Sequence, residues 1–426
     1  MRILHLVHQY PPEFVGGTEL YTQALAAAQV QMGHQVALFH PSTAPEGSAP
    51  AGVPPTPIQP RTGEDGVRVY GVPLGARGRT AVFAATFHQP ALSRALAAVL
   101  AAERPDLVHV QHLMGLPAGL VTQIRAAGIP YVVTLHDYWY PCANAQLVTN
   151  YDGTVCAGPR AWVNCGRCAL ARAGHDWPWL APGLAPLLAY RAARLRRVLA
   201  GAAAIIAPTQ FVRQTYGALG LPVARLVVVG HGLALPAGYV PPKREAARPG
   251  MLHVVYLGSV AWQKGVHVLV AAVNQLPHEG VRLTIYGRLD DFPDYVTDLR
   301  ARATHPGIRF AGRIDRAALW AALAQADVLA VPSLWYETAA LVIQEGFAAG
   351  LPVVAADLGA LTERVRDGVD GLLLPAGDAA AWRDALRRLR DTPGLLDQLR
   401  TNIQPVRTIA EHVSEIERVY RAGVKG

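Results

Sequence analysis

Residues 328–347, with the sequence VLAVPSLWYETAALVIQEGF, predict a strand, a turn and a helix in immediate succession. The apolar run Val328–Val331 has the length and branched side chains of a buried strand, and Pro332 ends it. Residues 338–347 have the composition of a helix. Glu337 in the turn and Glu345 in the helix therefore follow the carboxyl end of a predicted parallel strand, where α/β proteins bind their ligands.

Strand-like runs alternate with helical stretches along the rest of the chain, a pattern typical of βαβ units and parallel sheets. A Pro-rich and charged stretch around residues 236–245 separates two such series. We therefore predict an α/β protein with a first domain over 1–235, a linker over 236–248, a second domain over 249–402 and a final helix within 403–426 that packs back on the first domain. The predicted strands are 3–8, 35–40, 67–72, 107–111, 131–135, 203–207 and 226–229, then 253–257, 282–286, 308–310, 328–331 and 353–355.

The composition limits the class of protein. The chain has 426 residues, of which 51% are hydrophobic and 16% charged, so it is globular rather than disordered. No uncharged apolar run reaches the roughly 18 residues of a membrane span. The N-terminal residues lack the apolar segment of a secretion signal, and we expect a cytoplasmic protein. Residues 41–66, dense in Pro, Gly and Thr, predict a long loop.

The net charge of +8 is unevenly distributed. Residues 1–235 contain 17 basic and 10 acidic side chains, whereas residues 236–426 contain 22 and 21. This asymmetry favours an anionic partner for the first half, such as a phosphate-bearing lipid, an acidic glycan or a membrane surface. A scatter of solvated arginines explains it equally well.

Two glycine-containing turns are candidate phosphate sites. Gly16 and Gly17 lie between the first strand and a helix, where backbone amides can approach a phosphate; a tight turn capped by Thr18 is the structural alternative. Residues 257–265, LGSVAWQKG, run from a strand end into a helix and contain Lys264, one of only three lysines. An isolated lysine at a strand end favours an anionic ligand over a solvated loop position. The carboxylates of Glu337 and Glu345 can each accept hydrogen bonds from vicinal sugar hydroxyls.

These stretches together resemble the retaining nucleotide-sugar glycosyltransferases of family 4. The similar runs are residues 256–265, 327–333, 337–345, 350–355 and 367–372. The resemblance covers nearly the whole chain and is strongest over 252–375. It implies the GT-B fold, two facing Rossmann-like domains with a deep cleft between them, and transfer of a sugar from a nucleoside diphosphate, UDP or GDP, to a glycan or lipid-linked acceptor.

The resemblance also implies roles for individual residues. Glu345 corresponds to the glutamate that binds the nucleotide ribose, Glu337 to the one that contacts the transferred sugar, and Lys264 to the lysine that binds the diphosphate. His136 corresponds to an active-site histidine near sugar and acceptor, although a lone histidine at a strand end is more often structural. The wider donor-binding set that we predict comprises Gly16, Gly17, Ser259, Lys264, Arg288, Glu337, Thr338, Ala339, Ala340, Leu341 and Glu345.

The expected chemistry needs no metal cofactor. The sequence has no Asp-x-Asp pair, and Lys264 with the amides that begin the helix after Glu337 would stabilise the leaving diphosphate. The family's front-face mechanism needs no protein nucleophile, since the leaving phosphate deprotonates the acceptor. The chain departs from the family where Ser259 replaces a common arginine, for which Arg288 is the candidate substitute, where Ala339-Ala340 replaces Phe-Gly, and at residues 231–234.

All four cysteines lie close together in the sequence, namely Cys142, Cys156, Cys165 and Cys168. Disulfides are disfavoured in the cytoplasm, and four thiolates at these spacings can close a tetrahedral zinc site. We predict a structural zinc ion in an insertion over 142–168, with an iron–sulfur cluster or plain reduced cysteines as alternatives. Four protein ligands would leave no coordination position open for catalysis.

A further segment combines aromatic and basic residues. Residues 177–180, WPWL, precede the arginine-rich stretch 187–197. This composition favours peripheral contact with the inner membrane face, and a helix that packs on its own sheet is an equal alternative. We expect no nucleic-acid partner. Two other functions stay open at this point, namely a nucleotide-sugar epimerase of the same fold and a non-catalytic polyanion-binding protein.

Overall fold

The computed structural model describes residues 1–43, 60–243 and 250–425. These residues form two compact units, Met1–Ala234 with the chain from Arg407 onward, and Leu235–Val406. The predicted boundary at 235 and the predicted return to the first domain lie within a few residues of this division. Residues 236–243 of the predicted linker belong to the second unit, where the Tyr239 hydroxyl donates a hydrogen bond to the Ala348 carbonyl at 3.3 Å. The remaining linker residues 244–248 lie outside the described residues.

The first unit is built on an eight-stranded sheet in the order β3-β4-β2-β1-β5-β6-β7-β8, parallel except for the β3–β4 pair. Its inner strands are buried along nearly their whole length, as expected when helices cover both faces of a parallel sheet, whereas both residues of the edge strand β3 are exposed. The strands are β1 Arg2–Leu6, β2 Gln35–Ser42, β3 Arg61–Thr62, β4 Arg68–Pro73, β5 Leu107–Val110, β6 Tyr131–Thr134, β7 Ala204–Ala207 and β8 Leu226–Val228. The helices are α1 Gly17–Gln31, α2 Arg79–Ala85, α3 Pro90–Glu103, α4 Leu120–Ala126, α5 Val163–Arg172, α6 Ala181–Ala200 and α7 Gln210–Ala218.

The second unit contains a six-stranded parallel sheet in the order β11-β10-β9-β12-β13-β14. Its core is made of aliphatic residues of the sheet and of Trp382, which is fully buried. The strands are β9 Leu252–Leu257, β10 Val281–Tyr286, β11 Ile308–Gly312, β12 Val328–Val331, β13 Val353–Ala356 and β14 Gly371–Leu374. The helices are α8 Val266–Val273, α9 Pro293–Arg302, α10 Arg316–Ala324, α11 Leu341–Ala348, α12 Ala379–Asp391 and α13 Leu395–Thr401.

The last helix, α14 Ile409–Lys425, belongs to the first unit. Polar groups buried beneath it hold it there. The Tyr21 hydroxyl lies 2.8 Å from His412 Nε2, and the Tyr420 hydroxyl lies 2.6 Å from His109 Nδ1 and accepts a hydrogen bond from Gln29 at 3.0 Å. Such bonds satisfy polar atoms that burial would otherwise leave unpaired.

The order of the strands places the candidate residues at two corresponding points. In each sheet the chain reverses its direction of winding between two neighbouring strands, β1 and β5 in the first unit and β9 and β12 in the second. Loops after such strands diverge and leave a crevice at the carboxyl edge of the sheet. Gly16 and Gly17 follow β1, whereas Lys264 follows β9 and Glu337 follows β12.

Some sequence predictions of local structure were wrong. The short strands β3 and β14 were missed, and β3 together with the end of β2 occupies part of the predicted loop over 41–66, of which residues 44–59 lie outside the described residues. The helix predicted over 338–347 begins only at Leu341, because Ala340 adopts the left-handed conformation with φ of 46° and breaks the helical path. Among the helices of the described ranges, none has the length and apolar content that crossing a membrane requires.

Candidate functional site

Lys264 reaches the end of β12 because of a glycine. The chain after β9 forms a short 3₁₀ turn, Trp262–Lys264, and Gly265 then adopts the left-handed conformation with φ of 69°. A Cβ atom at Gly265 would lie 1.8 Å from the carbonyl oxygen of Pro332, so only glycine allows this approach. The lysine is thereby placed beside the loop that follows β12.

Glu337 in that loop accepts three hydrogen bonds on a single oxygen. Its Oε1 lies 2.7 Å from Lys264 Nζ, 2.7 Å from Ser333 Oγ and 2.8 Å from Trp335 Nε1. Burial alone would raise the pKa of Glu337, but Lys264 and the three hydrogen bonds outweigh it and hold the pKa below its ordinary value. Glu337 is therefore an ionised, rigidly positioned carboxylate at neutral pH.

Each member of this ion pair can still bind a ligand, Glu337 as a hydrogen-bond acceptor and Lys264 as a donor. Among the described residues no group donates a hydrogen bond to Glu337 Oε2, so this oxygen is able to accept hydroxyl groups. The Lys264 side chain is 26% exposed, and its ammonium lies 4.8 Å from the centre of the Trp335 ring. An ammonium has three donors, so Lys264 can bind a further anion while it contacts Glu337.

The loop 338–341 leads from Glu337 into α11. Ala340 precedes the helix, and no side chain caps the amide groups of its first turn. Ala340 adopts the left-handed conformation, which glycine reaches without steric cost, and this gives a physical reason for the glycine that the resemblance implies in this loop. Thr338 and Ala339 lie in the loop and Leu341 begins the helix, so these predicted donor-binding residues share one end of β12 with Glu337.

In the part of the chain that the structure describes, Glu345 shares no ion pair with Lys264, whose carboxylate partner is Glu337. Glu345 lies on α11 and forms an ion pair with Arg316 at the start of α10. Burial raises the pKa of Glu345, and Arg316 opposes this effect only in part. The sequence did not indicate Arg316 as a partner, since the two residues come from different helices of the unit.

The structure places Ser259 and Arg288 at neighbouring strand ends. Gly258 and Gly287 pack so closely that a Cβ atom at Gly287 would lie 2.0 Å from the Gly258 carbonyl oxygen. The Arg288 guanidinium, however, pairs with Asp290 and Asp291 at 3.4 and 2.9 Å, and no contact joins it to Lys264 in the described residues. Ser259 is exposed beside it. The proposed substitution of Arg288 for the missing arginine stays a prediction.

In the first unit, Gly16 and Gly17 lie at the start of α1 for different reasons. A Cβ atom at Gly16 would lie 2.6 Å from Glu19 Oε2, so a side chain there would displace that carboxylate. Gly17 has no heavy atom within 4 Å of the corresponding position and no left-handed φ angle. Neither packing nor backbone geometry requires a glycine there, whereas close approach of a ligand to the backbone would.

His136, directly after β6, is a neutral histidine. Its Nε2 lies 2.8 Å from the amide oxygen of Gln111, which can only accept, so Nε2 carries the proton. Burial, with a smaller contribution from His112, lowers the pKa of His136 to about 3. The rings of Tyr21 and His231 lie 4.9 and 5.5 Å from it. His136 can therefore act as a hydrogen-bonding group at neutral pH but carries no charge.

Four polar residues near the ends of β1, β5 and β6 were missed in the sequence. Glu19 lies 3.4 Å from His8 Nε2, and His112 Nε2 lies 3.0 Å from Asp137 Oδ2. The Met114 amide donates to His112 Nδ1 at 3.0 Å, so Nε2 of this histidine is the donor to Asp137. The sequence could have indicated these residues by their positions after predicted strands, because the carboxyl ends of parallel strands meet at one edge of the sheet.

Comparisons with known proteins identify the family. The family model "Glycosyl transferase 4-like domain" matches residues 16–232, and "Glycosyl transferases group 1" matches residues 252–392. The chain belongs to the group 1, family 4-like glycosyltransferases. It is 30% identical to D-inositol 3-phosphate glycosyltransferase 1 of Catenulispora acidiphila over 441 aligned positions, 96% of this chain and 92% of that protein.

Solved structures show that the fold is GT-B, with two α/β domains, as the sequence predicted. Sucrose-phosphate synthase from Thermosynechococcus elongatus superposes with a TM-score of 0.70 at 21% identity and covers 98% of both chains. Anabaena HepE, solved in complex with UDP and glucose, gives a TM-score of 0.65 at 19% identity over 99% of this chain and 100% of the other. The family matches show that the protein is a glycosyltransferase enzyme, and this argues against the alternative of a non-catalytic polyanion-binding protein.

The glycosyltransferase carries its four cysteines around α5, and all of them are free thiols. The Gly158 amide donates to Cys156 Sγ at 3.4 Å, and the Asn150 amide donates to Cys168 Sγ at 3.3 Å. Within the described ranges, no group of three or more His, Cys, Asp or Glu side chains is placed so that it could hold a metal ion as the side chains stand. Zinc binding would require the sulfur atoms to move together.

A buried arginine beside these cysteines forms no ion pair with a carboxylate among the described residues. Arg191 on α6 is 2% exposed, donates to the Trp139 carbonyl at 2.8 Å and lies over the Trp139 ring. Its Nε has no hydrogen-bond partner in the part of the chain that the structure describes. A buried, unpaired cation is costly, and thiolates bound to a metal would supply the missing negative charge.

We predict about one zinc ion per chain, because four thiolates would complete a tetrahedral site and neutralise Arg191. Elemental analysis of protein purified with zinc supplied measures this directly. Cys165→Ser should lower the zinc content and the unfolding temperature together. If the protein binds no metal, the same substitution should change the unfolding temperature very little. Less than about half a zinc ion per chain would remove the prediction, and an equivalent amount of iron would favour an iron–sulfur cluster.

We also predict that the first unit loses stability in mild acid. His5, His109 and His412 are fully buried, and burial lowers their pKa values, to about 4 for His5 and His412. The unfolded chain binds protons below the ordinary histidine pKa of about 6.5, whereas these native histidines do not, so stability present above that pH is lost as the pH falls.

Between pH 7.5 and pH 5.5, each of the three histidines should reduce the free energy of unfolding by about 1.4 kcal/mol, or about 4 kcal/mol in total. Glu19 acts in the opposite direction, because its raised pKa in the folded state adds stability as the pH falls, but it is one group against three. Urea unfolding monitored at both pH values measures the change. Equal stability at the two values would show that these histidines are protonated in the native state.

Proposed function

We propose that the enzyme transfers a sugar from a nucleoside diphosphate, UDP or GDP, to a glycan or lipid-linked acceptor in the cytoplasm, with retention of anomeric configuration and without a catalytic metal. The observation that carries this proposal is the convergence of Lys264, Ser333 and Trp335 on one oxygen of Glu337. A cation and an oriented carboxylate at one strand edge are the groups that a diphosphate and a sugar ring require.

The phosphate side of the site consists of Lys264 and backbone amides. The ammonium is partly exposed, and the amides that begin α11 lack a side-chain cap. A helix N-terminus carries partial positive charge, and it adds to that of the lysine where negative charge develops on the leaving diphosphate. One well-placed donor of this kind is worth on the order of 10² to 10³ in rate. The sequence has no Asp-x-Asp pair, so we assign this task to protein groups rather than to a metal ion.

The sugar side consists of Glu337 and Glu345. Glu337 Oε2 can accept hydrogen bonds from hydroxyls of the transferred sugar, because the protein donors all bind Oε1. Glu345, paired with Arg316, is assigned to the ribose hydroxyls by the family resemblance. Burial raises the pKa of this carboxylate, and Arg316 acts in the opposite direction by favouring the ionised form, which is the better acceptor.

The state of Glu337 supports a mechanism without a protein nucleophile. Three donors share one of its oxygens and its pKa is lowered, so its lone pairs are stabilised and its basicity is reduced. We infer that Glu337 orients the sugar while the bond to the diphosphate breaks. The acceptor oxygen then bonds to the anomeric carbon on the same face, and its proton passes to the departing phosphate oxygen. Neutral His136 would donate or accept a hydrogen bond near the acceptor.

The comparisons support transfer over epimerisation. The relative from Catenulispora acidiphila is named for glycosyl transfer, and the Anabaena protein was solved with UDP and glucose. UDP is therefore the first nucleotide to test, and GDP is the second. An epimerase of the same fold would consume the nucleotide sugar without an acceptor, which gives a direct kinetic distinction.

We predict that Lys264 and Glu337 contribute to different parts of the donor affinity. Lys264→Gln should weaken nucleoside diphosphate and nucleotide sugar alike by about 10- to 100-fold, the worth of one charged hydrogen bond. Glu337→Gln should weaken only the nucleotide sugar, and it should leave the affinity for the diphosphate unchanged or higher because the lysine loses its internal partner. A thermal-shift titration with UDP, GDP and their glucose and mannose derivatives measures both effects; a ligand at about 100 times its Kd adds about 2.7 kcal/mol.

Glu279→Gln is the matched control, because Glu279 is an exposed glutamate of the same unit. Its titration should match that of the unmodified enzyme. Equal weakening of UDP and UDP-sugar by Glu337→Gln would contradict the sugar-binding role of Glu337. If no nucleotide of the panel stabilises the unmodified enzyme, the proposed donor class is wrong.

We predict that the first product has the same anomeric configuration as the donor, because a same-face attack preserves it. Proton NMR during the reaction of the identified donor with an acceptor measures the coupling constant of the new anomeric proton before any mutarotation. An α-linked donor should give an α-linked product. A β-linked product would instead indicate inversion and a protein base, for which a neutral histidine such as His136 would be the first candidate.

A further inference from the structure

Residues 177–190, with the sequence WPWLAPGLAPLLAY, form a largely exposed segment without a single charged side chain, in which Ala181 and Leu188 are buried. They comprise the 3₁₀ turn Pro178–Leu180 and the first half of α6. Trp179 is 73% exposed, Tyr190 51% and Trp177 48%, and Leu180 and Leu187 are also exposed. Single exposed apolar residues are common in proteins, but a continuous uncharged stretch of this length at the surface indicates a binding surface.

The orientation of α6 is fixed by its inner face. Leu188, Arg191 and Leu195 are buried, and Arg191 donates a hydrogen bond to the Trp139 carbonyl. Residues three and four positions apart are neighbours on a helix, so Leu187, Tyr190 and Arg194 form a row of their own that flanks the buried row. The helix cannot turn its apolar residues inward without removing Arg191 from its site. The exposure of Leu187 and Tyr190 is therefore built into the packing of the first unit.

Positive charge surrounds the uncharged segment. Residues 160–200 contain seven arginines and one acidic residue, Asp176. Arg79 at the start of α2 donates to the Arg172 carbonyl at the end of α5, which brings two arginines together beside the segment that follows α5. Arg194 lies next to Tyr190 and donates to its hydroxyl at 3.1 Å. An anionic surface is complementary to this combination of aromatic and basic groups.

We propose that the surface formed by residues 177–190 and the neighbouring arginines Arg172, Arg194 and Arg197 binds an anionic lipid bilayer. Tryptophan and tyrosine are enriched where one end of a side chain is apolar and the other is wet, and leucines can enter the acyl region beside them. Arginines near a membrane surface attract its anionic headgroups. The segment would lie in the interface plane and not cross it.

A second copy of the chain is the other occupant to consider. Dimer interfaces bury a core that is depleted in charged residues, which the uncharged segment alone would satisfy. The arginines beside it argue against self-association, because a twofold contact would bring like charges from both copies together. The lipid surface satisfies the apolar and the basic groups at the same time, and it does not depend on the donor or on the mechanism proposed above.

Sedimentation of the full-length enzyme with vesicles tests this inference. Binding to vesicles of phosphatidylcholine with phosphatidylglycerol should be at least about tenfold stronger than to phosphatidylcholine alone, and should weaken as salt is raised. The double variant Trp177→Ser with Trp179→Ser should bind anionic vesicles at least about tenfold more weakly than the unmodified enzyme. The double variant Arg194→Gln with Arg197→Gln should instead reduce the preference for anionic over neutral vesicles.

Phe292→Ser is the matched control, because Phe292 is an aromatic residue of the second unit with 44% exposure. It should bind vesicles as the unmodified enzyme does, and all variants should keep its unfolding temperature and its stabilisation by nucleotide. Failure of the unmodified enzyme to bind anionic vesicles would overturn the proposal. So would a dimer in light scattering that the tryptophan double variant converts to a monomer, since the segment would then be an interface between two copies.

Discussion

The ion pair between Lys264 and Glu337 is the interaction on which the candidate site depends. Its two charges come from loops after neighbouring strands, and the close approach is allowed only because Gly265 has no side chain against Pro332. A partly buried carboxylate is costly unless it is paired and hydrogen-bonded. The pair therefore holds the loop after β12 in place, and this loop in turn determines where α11 begins.

The two units differ in the charge of the polar groups that follow their central strands. The second unit holds charged groups at its switch point, each stabilised by an opposite charge. The first unit instead buries histidines such as His109 and His136 whose pKa values are lowered, so that they serve as neutral hydrogen-bonding groups. Burial of a cation with no partner is unfavourable, so neutrality is what makes such a dense cluster of imidazole rings compatible with a folded unit.

Helix α6 connects three features that the sequence shows separately. Its inner face contributes Arg191, whose charge lies beside the cysteine-rich insertion, and its outer face presents the uncharged segment that begins at Trp177. Because one rigid helix carries both faces, any group that stabilises Arg191 also stabilises the surface that we assign to lipid. The cysteine-rich insertion and the aromatic segment are therefore coupled through one helix of the first unit.

The sequence by itself determined the class of fold, the positions of most strands and the family, because buried parallel strands are continuous apolar runs and the motifs around Lys264 and Glu337 are local in the chain. It also identified the helix after Glu337, though with a start three residues too early. Only the tertiary structure showed that Glu345 pairs with Arg316, that Glu337 binds three donors through one oxygen, and that the buried Nε of Arg191 has no hydrogen-bond partner among the described residues. Burial and the partners of a charge depend on contacts between elements distant in the chain, and no local pattern of residues encodes them.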